Sequence, residues 1–210
     1  MFGDGALTFR EFAMREPLPL ATLHDAVLEF LRDRDDAALF GAQAVNAYVN
    51  EARMTQDVNI LSPRAKELAE DIRNFLNERF TIAVRVREVR GGIGYRVYQV
   101  QKPTNRHLVD VRPVEAFPPT KRVQHVLVID PPELIAEKTA AWVSRRGQPK
   151  AGTDWRDLAM LLLTLPELKQ QHGPVGDALK ANAATEDVMQ TWRDLVAQQL
   201  VEPDDAAEFE

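Results

Sequence analysis

The chain contains no cysteine, which removes any disulfide framework and any thiolate metal site. No apolar run approaches the roughly 20 residues that span a bilayer, so no membrane partner is expected. Residues Met1 to Arg15 include Asp4, Arg10 and Glu11 and lack the apolar stretch of a signal peptide. The sequence therefore reads as cytoplasmic. Histidine is scarce: His24, His107, His125 and His172 are scattered, without close metal-ligand spacing, and are expected in surface or core roles. Ser62 and Ser144 have no nucleophile-elbow context.

What remains is an ordinary globular composition. The chain has 210 residues, 45% apolar and 28% charged, enough for one moderate domain or two small lobes sharing a core. The net charge of −6 conceals a gradient: residues 1–50 carry −4, residues 51–150 carry +6 and residues 151–210 carry −8. Arg85, Arg87, Arg90, Arg96, Lys102, Arg106, Arg112, Lys121 and Arg122 contribute to the middle excess. Two readings fit that segment: a surface facing a polyanion, or a solvated sheet face balanced by acidic helices.

Leu23, Val27, Leu28 and Leu31 fall at helical spacing and predict an amphipathic helix over residues 20–32. A buried strand is expected over 37–41, a short helix over 43–50 and a strand over 57–61. Ser62 and Pro63 read as the N-cap and first turn of a helix reaching Arg79, with Leu68, Ile72, Phe75 and Leu76 on one face. Residues 81–90 and 95–101 alternate apolar and polar positions around Gly91-Gly92-Ile93-Gly94. That cluster joins two strand patterns, so it predicts a hairpin turn rather than a phosphate loop. Strands are also expected over 105–112 and 123–129. From Pro131 the pattern is helical, over 131–146, 154–165 and 185–200, with shorter pieces at 167–171 and 175–180. Trp142, Trp155 and Trp192 read as packing residues of these helices. The expected fold class is α/β (α+β): a mixed-sheet domain over residues 1–130, then a helical domain over 131–210 with an acidic tail.

One stretch carries chemistry. Phe40-Gly41-Ala42-Gln43-Ala44-Val45 reads as strand, tight turn and helix; Arg53-Met54-Thr55-Gln56-Asp57-Val58-Asn59 then leads into a strand. Side chains two apart on a strand point the same way, so Asp57 and Asn59 would present oxygens to one face. Asp110, flanked by Leu108, Val109 and Val111, supplies a third from a neighbouring strand. A carboxylate in such apolar surroundings is costly unless paired or metal-bound. Hard oxygens of this kind hold a divalent ion, and paired ions in phosphoryl chemistry sit roughly 3.5–4 Å apart. On the later helices Lys138, Ala141 and Arg145 share one side, placing two cations where phosphate oxygens can meet them. Asp154 alone reads as a helix cap, and Asp157 as a partner of Lys150 or a nearby arginine.

Taken in order, these pieces resemble the AbiEii-type nucleotidyltransferases, the toxin components of bacterial abortive-infection and toxin–antitoxin systems, within the polymerase-beta-like nucleotidyltransferase superfamily. The family's glycine turn is matched by Gly41-Ala42-Gln43-Ala44. Its Arg-x-Thr/Ser-x-Asp-x-Asp strand is matched by Arg53, Thr55, Asp57 and Asn59. The Lys-x-x-Ala helix with a trailing arginine is matched by Lys138, Ala141 and Arg145, and the closing Asp-x-x-Asp-Leu by Asp154, Asp157 and Leu158. The ordered set spans about residues 20–165.

The resemblance implies transfer of a nucleotide from an NTP, dependent on Mg2+ (or Mn2+), to RNA such as tRNA or to a protein. It implies Asp57, Asn59 and Asp110 as metal ligands, and Asp57, Asp110, Lys138 and Asp154 as catalytic residues. It further implies nucleotide contacts from Gly41, Ala42, Gln43, Arg53, Thr55 and Arg145, and an antitoxin partner. Two features depart from the pattern. Ala42 and Gln43 crowd the turn, and Asn59 brings a neutral oxygen where the pattern has a carboxylate. At an effective dielectric near 20, a charge lost beside a metal is worth a few kcal/mol, on the order of two decades in rate. An active enzyme, a descendant that binds without turnover and a plain helical interaction module therefore all stand as readings of the sequence.

Overall fold

The computed structural model describes residues 18–89 and 91–201. Their backbone builds a seven-stranded mixed sheet in the order β3-β4-β5-β2-β1-β7-β6. The strands are β1 (Ala38–Phe40), β2 (Val58–Ser62), β3 (Val84–Val89), β4 (Gly94–Gln99), β5 (Arg106–Pro113), β6 (Thr120–Val123) and β7 (Val126–Ile129). Pairings β1–β7 and β2–β5 are parallel; β1–β2, β3–β4, β4–β5 and β6–β7 are antiparallel. The centre is apolar because β1 is buried throughout and β2 buries alternate residues, Val58 and Ile60 among them. That alternation leaves Asn59 and Leu61 on the opposite face.

Helix α1 (Leu20–Phe30), the short α2 (Gly41–Asn46) and α3 (Ala65–Phe80) precede or interrupt the strands. Leu68, Ile72 and Leu76 recur at helical spacing and are buried, so α3 packs on β3, β4 and β5 as well as on α1. Four helices follow: α4 (Pro131–Ser144), α5 (Pro149–Thr164), α6 (Pro174–Ala181) and α7 (Glu186–Ala197). Helix α4 touches α2, α5, α6 and α7 and so ties the helical region to the sheet. Trp142 and Trp155 meet with ring centroids 5.0 Å apart, and Trp192 is fully buried. No described helix is long and apolar enough to cross a membrane. Residues 1–15, where no signal peptide is expected, and the acidic tail beyond 201 lie outside the described residues.

Four local expectations are corrected. Strand β2 starts at Val58, where pairing with Val109 begins, so Asp57 lies one residue before it. Ser62 does not cap α3; it ends β2, and its Oγ accepts from the Arg64 N–H at 3.0 Å within the turn that leads to Ala65. The single strand expected over 123–129 is a hairpin, because Gln124 and His125 take φ of 48° and 71° and reverse the chain. Helix α5 starts at Pro149, whose fixed φ suits a first turn, so Asp154 sits inside the helix rather than at its cap.

Candidate functional site

Register across the sheet brings the oxygens together. Arg87 pairs with Arg96, Arg96 with Asp110, Asp110 with Asn59, and Asn59 with Phe40. Residues directly opposite share a face, so these five form one row. Strand β5 carries an irregularity here: Val97 pairs with Val109, yet Tyr98 pairs with His107, leaving Leu108 as an extra residue. Such a bulge resets the alternation. His107 and Asp110, an odd number apart, therefore face the same way.

His107, expected in a surface or core role, stands beside both carboxylates. Its Nε2 lies 3.0 Å from Asp110 Oδ1 and its Nδ1 lies 3.6 Å from Asp57 Oδ2. Arg96 adds a two-bonded pair to Asp110, at 3.0 and 3.3 Å. Burial would raise the Asp110 carboxyl, but the bonds from His107 and Arg96 outweigh it and hold its pKa at about 2. Ligand atoms of Asp57, His107 and Asp110 lie within 4.8 Å of one another. That spacing and this donor set fit one divalent cation. His24 is nine-tenths buried with an Nε2 that has no partner, and burial pushes its pKa down while nearby Asp57 partly offsets this.

The turn ahead of α2 closes another side. Gly41 has φ of +68°, a left-handed value that favours glycine. A Cβ there would stand 3.5 Å from the Asn59 Cβ, so the bare backbone lies directly beside Asn59. The Glu137 carboxyl of α4 lies close enough to the Gly41 backbone N–H to be lowered slightly by it. Burial pushes the Glu137 carboxyl up, offset in part by Lys138 and Arg112. Gln43 turns away: its Oε1 accepts from Thr55 Oγ1 at 3.2 Å, and it lines a separate cavity of about 570 Å³.

A buried charge network forms the helical wall. Asp157, fully buried, accepts two bonds from Arg53, at 2.6 and 2.8 Å, and one from Lys138 Nζ at 2.9 Å. Lys138 also lies 3.6 Å from Asp154, which accepts from Arg145 at 2.6 Å. Burial alone would raise the Asp157 carboxyl, but Arg53 and Lys138 hold it below its ordinary value. Three cations against two carboxylates leave one positive charge over. Asn46 fixes the approach of Arg53, donating to the Arg53 carbonyl at 2.8 Å and accepting from its N–H at 3.1 Å.

Together these elements enclose a cavity of about 770 Å³. Gly41, Ala42, Arg53, Thr55, Asp57, Asn59, Asp110, Lys138 and Arg145 line it; Gln43 and Asp154 do not. Glu137 and Arg96 also line it, and neither was singled out as a site residue from the sequence.

The family model described as "Nucleotidyl transferase AbiEii toxin, Type IV TA system" matches residues 25–209. The chain belongs to the AbiEii nucleotidyltransferase toxin family. Solved structures share its fold. The Megavirus polyadenylate synthase superposes with a TM-score of 0.56 at 12% identity, over 70% of this chain and 32% of that one. The chain thus spans about a third of the length of that enzyme. JHP933 from Helicobacter pylori superposes with a TM-score of 0.52 at 13% identity, over 91% of both chains. Comparison with curated proteins gives no significant match.

Proposed function

We propose that this AbiEii-family chain transfers a nucleoside monophosphate from an NTP to an RNA acceptor, in the cytoplasm, under control of an antitoxin protein. The observation that carries the reading is the convergence of Asp57, Asn59 and Asp110 beside the bare Gly41 backbone, in one cavity walled by Arg53, Lys138 and Arg145. Asp57 and Asp110, with Asn59, would hold a divalent cation, Mg2+ or Mn2+. The cation, when bound, supplies charge neutralisation to the polyphosphate.

The remaining steps belong to the chain's own groups. Lys138 and Arg145 present cations to phosphate oxygens. Asp157 acts as a positioning residue: its three bonds orient Arg53 and Lys138 without touching the cavity. Asp154 does the same for Arg145. Arg87, Arg96 and Tyr98 lead away from the cavity along β3 and β4, and cations interleaved with an aromatic ring suit a nucleic-acid strand. That row favours RNA over protein as acceptor.

A second reading, binding without turnover, is favoured by three groups. Asn59 brings no charge, Arg96 occupies both oxygens of Asp110, and Glu137 adds a carboxylate to the lining where phosphate would bind. Incubation with each labelled NTP, Mg2+ or Mn2+ and total tRNA separates the two. Label transfer lost in Asp57→Ala supports the enzyme. Nucleotide binding with no transfer, even in Asn59→Asp, leaves only the binding protein.

A further inference from the structure

The ion site contains a nitrogen donor that a purely oxygen-based site does not need. We propose that His107 is a direct ligand and that Asp57, His107 and Asp110 together select Mn2+ or Co2+ over Mg2+. This inference rests on the reading of the cavity as an ion-dependent nucleotide site and names the ion it is built for.

The argument begins with reach. The two ring nitrogens of His107 point at different carboxylates, 3.0 Å from Asp110 and 3.6 Å from Asp57. One imidazole thus spans the gap that a cation would fill. All three ligand atoms lie within 4.8 Å of one another, so an ion about 2.0–2.2 Å from each needs only small side-chain movement. The bulge at Leu108 is what puts His107 in this place, since regular alternation would send it to the opposite face.

Donor chemistry then decides the ion. Mg2+ prefers carboxylate, carbonyl and water oxygens and gives up its water shell reluctantly, whereas imidazole suits transition metals. Asn59 sharpens the contrast, because its amide oxygen is neutral and leaves Asp57 and Asp110 as the two anionic ligands of the proposed site. A site with two carboxylates, one amide and one imidazole gives Mg2+ little reason to dehydrate. Mn2+ and Co2+ accept the nitrogen readily. Without an ion, the Arg96 guanidinium occupies Asp110, so loading exchanges one cation for another at the same carboxylate.

Isothermal titration of the nucleotide-free protein with Mn2+, Co2+ and Mg2+ tests the inference independently of turnover. The expected result is tighter binding of Mn2+ and Co2+ than of Mg2+, by on the order of tenfold or more. Pulsed EPR of the Mn2+ complex is expected to show nitrogen modulation that disappears in His107→Ala. That variant should lose Co2+ affinity by on the order of 10–100-fold. His107→Asp should turn the preference toward Mg2+. Nitrogen modulation absent from wild type, or Co2+ affinity unchanged in His107→Ala, overturns the inference. If Asp57→Asn still abolishes ion binding in that event, the nucleotidyltransferase reading stands with an all-oxygen site. If no ion binds wild type at all, the inference falls, and the label-transfer assay decides the function separately.

Discussion

Arg53 and Asp157, 104 residues apart in the chain, are joined by two hydrogen bonds of 2.6 and 2.8 Å, with Asp157 wholly buried. The pair fastens the segment before β2 to helix α5, and Lys138 on α4 completes it. Removing one partner of a buried ion group leaves the others desolvated and uncompensated, at about 3–5 kcal/mol. Asp157→Ala is therefore expected to lower stability by about 3 kcal/mol, since Asp154 still offers Lys138 a weaker partner at 3.6 Å. For a chain of this size that is roughly 6–12 °C in Tm. Asp187→Ala breaks the exposed Arg146–Asp187 pair and should cost about 0–1 kcal/mol. Thermal unfolding of both variants measures the contrast.

The same carboxylate sets an acid limit. Its folded pKa lies below the ordinary 3.8, because Arg53 and Lys138 more than offset burial. A depressed pKa contributes stability in full above the unfolded value, and the contribution is lost as pH falls through the folded one. The urea midpoint is thus expected to hold down to about pH 5 and to drop below about pH 4. Asp157→Asn should flatten that drop. A midpoint with the same acid slope in both proteins would remove Asp157 from the account.

Sequence patterning made the strand and helix order legible wherever apolar residues recur at a regular interval, as at Leu68, Ile72 and Leu76. The glycine run at 91–94 was readable as a turn for the same reason: alternation on both sides points to the β3–β4 hairpin. What alternation cannot reveal is a break in itself. The extra Leu108 moves His107 onto the face of Asp110, and no spacing rule applied to β5 would place it there. Asp154 misled in a similar way, since an aspartate near a helix start suits a cap, and only the actual start at Pro149 puts it against Arg145. Asp57, Asn59 and Asp110 were readable as neighbours. That Arg96 pairs with Asp110 and that Glu137 lines the same cavity depends on register and on the approach of α4, which the sequence does not display.

The basic row predicts a salt-dependent partner. Arg85 and Arg87, two apart on exposed β3, share the face of Tyr98 and Arg96 that continues into the cavity. Each phosphate contact to a single strand contributes about 0.7 to the slope of log affinity against log salt. Arg85→Ala with Arg87→Ala should lower that slope by roughly 1.4 for labelled tRNA, followed by fluorescence anisotropy. An unchanged slope would assign these arginines to a solvated edge strand, where charge simply discourages pairing with other chains.

Asn59→Asp tests what the neutral oxygen does. Its neighbours in register are Asp110 on one side and Phe40 on the other, with the Gly41 backbone against its Cβ. A third carboxylate near Asp57 and Asp110 repels both when no ion is present, so the ion-free Tm should fall. With an ion bound the sign reverses, because each anionic oxygen then adds attraction worth a few kcal/mol at an effective dielectric near 20. Hard oxygen favours Mg2+ more than Mn2+, so Mg2+ affinity should rise most, by on the order of tenfold or more. If neutralisation limits the chemistry, Mg2+-supported label transfer should climb by about two decades. Paired Tm measurements with and without Mg2+ read the electrostatic exchange directly, and a fall of equal size under both conditions would mean that residue 59 never reaches the ion.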